Sequence, residues 1–292
     1  MNVLVIIVTF NGRKWLDSCL SSVLNSSVDA DLYIVDNGST DGSIEYIKEK
    51  APKAILVESK ENLGFGKANN QGLRYALENG YDYVYLLNQD AWIEQDTLES
   101  LIEVSEKNPE YGILSPIQVN KQKNKLDLNF SYCCPSAILS DSLCKIPLKD
   151  VYETDFVMAA HWLITRKCLS LVGGFSPAFP HYGEDNNYIH RAQSKGLKVG
   201  IVPGTLAVHD RENRVTPLSK KRYMHYIANL IILNNPLQKN RIFQILKQEA
   251  IVLLKHPKEL SLKFLIKSIK SIPSAKRFRE LYSKRSIFLC RE

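Results

Sequence analysis

Hydrophobic positions change period along this chain. Residues 3–10 (VLVIIVTF) form an unbroken apolar, β-branched run, the pattern of a strand buried on both faces. In 13–25 the apolar residues Trp15, Leu16, Cys19, Leu20, Val23 and Leu24 recur at helical spacing. The exchange then repeats. Residues 31–37, 54–59, 83–88 and 111–117 read as strands. Residues 39–50, 66–80 and 93–108 read as helices, the first with Ser, Thr and Asp cap candidates and the second closed by Gly80. This β-α-β-α order predicts a mostly parallel sheet with helices on both faces.

Beyond residue 117 the pattern weakens. Residues 118–150 are polar and mixed, an irregular excursion or a short antiparallel insert. Residues 154–165 read as a strand pair or a strand and turn. Residues 166–175 form a short helix ended by Gly173-Gly174, and 184–196 a helix stopped by Gly196. Residues 198–210 read as two short strands around Pro203-Gly204. From Pro217 onward helical spacing dominates, in 221–235, 241–256 and 260–272, the last two amphipathic and Lys-rich. No internal repeat is visible.

Composition narrows the class. Of 292 residues, 45% are hydrophobic and 24% charged, as in globular proteins. No apolar run approaches the ~20 residues that span a bilayer. The amino end lacks a basic segment before its apolar run, so no leader peptide is expected. Six cysteines without a Cys-x-x-Cys pair point to reduced thiols in a cytoplasmic setting, with a disulfide from Cys144 to Cys133 or Cys134 as the alternative. Residues 211–292 hold 19 basic and 5 acidic side chains, whereas 1–210 hold 19 basic and 26 acidic. An acidic body thus carries a basic tail, and the two are expected to do different work.

Polar residues gather where the strands end. Strand one runs into Thr9-Phe10-Asn11-Gly12 and strand two into Asp36-Asn37-Gly38-Ser39-Thr40-Asp41. Glu61-Asn62-Leu63-Gly64-Phe65-Gly66 follows strand three, and Asn88-Gln89-Asp90 ends strand four. Any one of these is an ordinary turn. Together they line the rim outside the carboxyl ends of an open α/β sheet, where ligands bind. Asp36 could accept from a base or ribose, Gly64 and Gly66 could let backbone approach a ligand, and Asp90 offers a hard oxygen to a divalent cation. The full Gly-x-Gly-x-x-Gly fingerprint is absent.

The stretches VIIVTFNGRKWLDSCLSSV, DLYIVDNGSTDGS, NLGFGKANNQGL and YVYLLNQDAWIEQDTLESLI, with the later GGFSPAFPHYGEDNNYIHRAQSKGLKV and AVHD, resemble family 2 glycosyltransferases of the GT-A fold, in their rhamnosyltransferase-like subgroup. The resemblance covers about residues 1–235. It implies a nucleotide-binding half (1–117), an acceptor-binding half (118–235) and a separate tail (236–292). It also implies that Thr9, Asn11 and Asp36 line a nucleoside pocket, and that Asn62, Gly64 and Asn69 lie along a nucleotide-sugar cleft. Asn88-Gln89-Asp90 stands where the family carries Asp-x-Asp, with Asp90 and His209 holding Mg2+ or Mn2+. Glu184-Asp185 matches the paired acids near the acceptor, with Asp185 as the base. Two departures concern the acceptor side: Asp185-Asn186-Asn187-Tyr188 lacks the usual second acid, and Ala159-Ala160 replaces a common glycine.

The expectation is therefore an inverting, metal-dependent transferase. It would move a sugar from a UDP- or dTDP-activated donor, dTDP-rhamnose included, to a glycan or lipid-linked glycan in cell-surface polysaccharide synthesis. The rivals are a non-catalytic glycan-binding or scaffold protein on the same fold, and a nucleotidyltransferase. The Lys-rich tail, with its stripe Leu260, Phe264 and Ile269, either packs on the main body or lies on an anionic membrane surface, which would make the protein peripheral at the inner face of the membrane. No nucleic-acid module is apparent, and no nucleic-acid partner is expected.

Overall fold

The computed structural model describes the chain except for residues 211–216, 257, 259 and 290–292, so Cys290 lies outside the described residues. Strands β1 (Val3–Thr9), β2 (Asp31–Asp36), β3 (Ile55–Glu58) and β4 (Tyr83–Asn88) alternate with helices α1 (Arg13–Leu24), α2 (Ser43–Lys50) and α3 (Gly64–Glu78). A short strand β5 (Ala91–Ile93), helix α4 (Thr97–Lys107) and strand β6 (Tyr111–Val119) follow. After α5 (Leu128–Cys133) and α6 (Ser136–Leu143) come β7 (Tyr152–Glu153), β8 (His161–Thr165), α7 (Arg166–Val172), α8 (Glu184–Ser194) and β9 (Lys198–His209). The strands form one sheet in the order β3-β2-β1-β4-β8-β6-β9-β5, with β7 beside β9.

β1 shows why the apolar run forms a central strand. Leu4 and Ile6 enter one core with Ala68 and Leu73 of α3, Leu169 of α7 and Ile189 of α8. Val3, Val5 and Ile7 enter the other core with Leu16 and Leu20 of α1, Ile47 of α2 and Leu101 of α4. Successive side chains leave opposite faces of a strand, so a strand with helices on both sides must be apolar throughout. Gly72 allows α3 to close on β1: an added Cβ would lie 2.7 Å from Ile6 Cδ1.

The expected α/β fold with helices on both faces is present, but the sheet is mixed. β3, β2, β1 and β4 are parallel. β8 then enters antiparallel between β4 and β6, while β6 and β9 are parallel. An apolar run marks burial and carries no direction, so β8 reads like its parallel neighbours. Residues 198–210 form one strand, not two. Its register with β6 breaks after Pro116–Val202 and resumes at Ile117–Leu206, so Pro203-Gly204 interrupts the pairing without ending the strand. The excursion holds two short helices, not an antiparallel insert.

Four further α-helices follow, α9 (Leu218–Asn234), α10 (Arg241–Lys255), α11 (Leu262–Lys270) and α12 (Ile272–Lys284), and then a short 3-10 turn, Ile287–Leu289. The Phe264 ring of α11 stacks on Tyr226 of α9 at 5.7 Å. Arg279 of α12 donates to the Leu233 carbonyl. Past α12, Phe288 packs beneath the Arg74 guanidinium of α3, 4.7 Å from it. The stripe Leu260, Phe264, Ile269 thus splits: Phe264 turns inward and Ile269 stays exposed. Cys19, Cys133, Cys134, Cys144 and Cys168 are free thiols. No helix among the described residues is long and apolar enough to cross a membrane.

Candidate active site

The sheet register places three strand ends side by side, pairing Thr9 with Asp36 and Val8 with Asn88. Gln89 brackets two of them. Its Oε1 accepts from Thr9 Oγ and from Phe10 N, both at 2.8 Å, and its Nε2 donates to the Phe10 carbonyl at 3.3 Å. The Asn-Gln-Asp cluster therefore does not act as one ligand-facing unit: Gln89 fastens β4 to β1. Thr9, expected in the nucleoside pocket, is buried and commits its hydroxyl proton to that fastening.

Asn11 has a braced backbone as well. It sits at φ 49°, its Oδ1 accepts from Thr40 N at 2.9 Å, and its own N donates to Ser39 Oγ at 2.9 Å. These bonds tie the loop after β1 to the loop after β2. Asp36 lies beneath them, fully buried. Its Oδ1 accepts from Gly38 N and Ser39 N at 2.9 and 2.8 Å, the first made possible by Gly38 at φ +84°. Its Oδ2 is buried with no hydrogen-bond partner in the protein. A buried carboxylate oxygen without a donor is costly, so Asp36 is a ready acceptor.

The third cluster packs protein against protein. Asn62 Oδ1 accepts from Gly64 N at 2.9 Å, and Asn69, buried in α3, donates to the Phe65 carbonyl at 3.0 Å. An added Cβ at Gly64 would lie 3.3 Å from the Pro180 carbonyl, and one at Gly66 3.2 Å from Phe175 Cβ and 3.9 Å from Glu184 Cβ. The glycines expected to admit a ligand instead admit the segment leading into α8. Asn37, which sequence reasoning did not single out, joins two rim loops by accepting from Leu63 N at 3.4 Å.

Asp90 and His209 meet. β5 pairs antiparallel with the end of β9, Ala91 opposite His209, and Asp210 N donates to the Asp90 carbonyl at 2.8 Å. This sets His209 Nε2 3.5 Å from Asp90 Oδ1. Adjacent ligands at ~2.1 Å from one octahedral cation stand about 3 Å apart, so the pair fits two neighbouring positions of one ion. No group of three His, Cys, Asp or Glu side chains suited to a metal occurs among the described residues. Such an ion would need oxygens from water and a ligand, as Mg2+ commonly does.

Behind this pair lies a buried support the sequence did not announce. The His161 ring stands edge-on to His209 at 6.3 Å between centroids. Burial, with His209 adding to it, holds His161 down to a pKa of about 3, so the ring is neutral. Its Nε2 donates to the Val208 carbonyl at 3.0 Å, and its Nδ1 accepts from Tyr85 OH at 2.9 Å. His161 thereby pins the strand end that carries His209. The only sequence signal was a polar residue inside the apolar run 154–165.

Glu184 and Asp185 open α8 after Gly183, whose φ is +83°. Glu184 is buried and its Oε2 has no partner. Burial pushes its pKa up to about 7, and the Asp185 charge adds to the rise. Asp185 is half-exposed, and its Oδ1 accepts from Asn186 N at 2.8 Å. The two acids therefore differ: one is poised between charge states near neutrality, and the other reaches the surface.

Residues 4–137 match the profile of glycosyl transferase family 2. The match covers a little under half of the chain. The glycosyltransferase GlyA of Streptococcus pneumoniae is 35% identical over 102 residues, which is 34% of this chain and 14% of that protein. The low-salt glycan biosynthesis hexosyltransferase Agl10 of Haloferax volcanii is 23% identical over 82% of this chain and 76% of its own. Among solved structures, S. aureus TarS 1-349 in complex with UDP-GlcNAc superposes with a TM-score of 0.62 at 17% identity, over 97% of this chain and 86% of that one. The mannosyltransferase PcManGT of Pyrobaculum calidifontis, in complex with GDP-Man and Mn2+, gives 0.59 at 18% identity over 97% and 79%. At these identities the structures establish the fold, which is GT-A.

Thr9, Asn11, Asp36, Asn62, Gly64, Asn69, Asn88 and Asp90 all fall within the matched segment. Glu184, Asp185 and His209 lie beyond it. The pairing of β9 with β5 brings His209 to the rim at Asp90, and the close approach of Gly66 to Glu184 brings the start of α8 beside the loop after β3.

Proposed function

We propose that the protein is an inverting glycosyltransferase that uses a nucleoside-diphosphate sugar and a divalent cation, Mg2+ or Mn2+. The observation that carries this reading is the Asp90–His209 pair, 3.5 Å apart at the carboxyl rim of a family 2 domain. Asp36 Oδ2 is suited to accept a ring N–H of a base such as uracil or thymine; that the donor is a UDP- or dTDP-activated sugar, dTDP-rhamnose included, rests on the family resemblance. Asp90 and His209 would hold the cation, which when bound offsets the charge of the diphosphate.

Asp185 takes the proton from the acceptor hydroxyl. The acceptor oxygen then bonds to the anomeric carbon as the bond to the diphosphate oxygen breaks on the opposite face, and the nucleoside diphosphate leaves with the electron pair. Glu184, buried beside Asp185, stays largely protonated below its pKa of about 7 and so leaves the negative charge on Asp185. The acceptor is a glycan, lipid-linked in the setting of surface polysaccharide assembly.

A thermal-shift screen of UDP, dTDP, GDP and CMP, with and without Mn2+, tests the proposal. A ligand at 100 times its dissociation constant stabilises the native state by ~2.7 kcal/mol. Mn2+-dependent stabilisation by UDP or dTDP, lost in Asp36→Ala, is the expected result. The absence of any nucleotide effect would return the chain to the scaffold reading.

A further inference from the structure

Helices α10 and α11 present apolar surface that no described residue covers. On α10, Ile245 and Val252 pack inward, whereas Ile242, Phe243, Leu246, Leu253 and Leu254 are exposed, Phe243 by 65% and Leu254 by 82%. At 3.6 residues per turn these five fall within an arc of about 120°. α11 repeats the arrangement. Leu262, Ile266 and Ile269 are exposed at i, i+4 and i+7, while Phe264 stacks on Tyr226 and Ser268 Oγ accepts from Asn229 Nδ2 at 3.2 Å. Each helix is therefore apolar on its packed side and on part of its open side. The five α10 side chains form one continuous apolar strip, and such a strip marks an interaction site.

Charge identifies the occupant. Residues 239–270 carry eight Lys and Arg against two acids. One of those acids, Glu249, turns inward to accept from Asn229 Nδ2 at 2.6 Å. Lys247 follows Leu246 on α10, and Lys263, Lys267 and Lys270 run beside the α11 stripe, all exposed. A second copy meeting this face across a two-fold axis would set these lysines against their own equivalents. A polyanion with no apolar layer would leave the leucines in water. A surface of anionic headgroups over acyl chains satisfies both sets of side chains.

We propose that the α10–α11 face seats on an anionic lipid bilayer, with Phe243, Leu246, Leu254, Leu262 and Ile266 at the acyl boundary and the lysines at lipid phosphates. The stripe read from sequence placed Phe264 in that contact. The structure replaces it with the α10 face and the outer side of α11. The inference does not depend on the glycosyltransferase reading.

Flotation of the full chain with phosphatidylcholine vesicles, with and without phosphatidylglycerol, tests it. The protein is expected to float with the anionic vesicles at low salt. Leu246→Glu/Leu254→Glu is expected to weaken this about tenfold or more, and Lys263→Gln/Lys270→Gln to remove most of the preference for phosphatidylglycerol. The altered side chains are exposed, so thermal stability and any nucleotide-induced shift should match the parent chain, which separates this result from a failure of the transferase reading. Equal flotation of parent and Leu246→Glu/Leu254→Glu, or none with anionic vesicles, would overturn the proposal. So would a lipid-free dimer that Leu254→Glu converts to monomer, because a second copy would then occupy the face.

Discussion

Asp90 Oδ1 lies 3.5 Å from His209 Nε2, although 118 intervening positions separate the two residues. The pairing of β5 with β9 makes this approach, and the buried Tyr85–His161–Val208 chain holds it from behind. Asp90→Ala is expected to abolish Mn2+-dependent binding of UDP or dTDP, and His209→Ala to weaken it about tenfold or more, consistent with losing one ligand of a coordinated set. Titration calorimetry with and without Mn2+ checks this. Equal affinity in the two conditions for the parent chain would remove the cation from this site.

Glu184 makes stability depend on pH. Its folded pKa of about 7 lies above the ordinary value of 4.5, so the native state binds the proton more tightly than the unfolded chain. The associated stability is fully present below about pH 4.5 and is lost as pH rises through about 7. The loss amounts to about 3 kcal/mol. Urea unfolding of the parent and of Glu184→Gln at pH 5 and pH 8 should show that the variant lacks this part of the fall. Parallel pH profiles would mean that Glu184 is better solvated than its burial implies.

Gln89 is expected to be a structural residue within a ligand-binding cluster. Gln89→Ala strips the partner from Thr9 Oγ and Phe10 N and should cost about 1 kcal/mol, since water can reach Phe10 N. Nucleotide binding should keep its dependence on Mn2+. A variant as stable as the parent but unresponsive to Mn2+ would instead assign Gln89 to the ligand.

Gly72 separates helix propensity from packing. Alanine in mid-helix gains about 1 kcal/mol over glycine, but its Cβ would stand 2.7 to 3.0 Å from three side-chain atoms of Ile6. Ile6 is fully buried and has nowhere to retreat. Overpacking costs about 1–3 kcal/mol, so Gly72→Ala should be net destabilising in urea titrations. A stabilised variant would show that α3 can lift from β1 at little cost.

The strands of the amino-terminal half were legible because each is apolar on both faces and each is punctuated by a polar cluster. β5 was not. Its three residues follow Asp90 directly, too short a run for period-2 alternation, and strand formation there depends on β9, far along the chain. His161 stayed hidden for a related reason: a polar atom inside an apolar strand gains meaning only from its partners, Tyr85 and Val208. The tail was legible as amphipathic helices, but which apolar side faces the protein was not, because α10 and α11 are apolar on both their packed and open sides.

The amino-acid sequence by itself determined the α/β class, the polar rim at the strand ends, the acidic body and the basic helical tail. These follow from local periodicity and composition, which a linear chain displays. Tertiary structure alone decided the mixed direction of the sheet, the duty of Gln89 as a fastener and the unpartnered oxygen of Asp36; the pairing of Asp90 with His209 was implied by the family resemblance, and the fold supplied its geometry. Each of these is a relationship between residues distant in the chain, fixed by strand pairing and burial that no local pattern encodes.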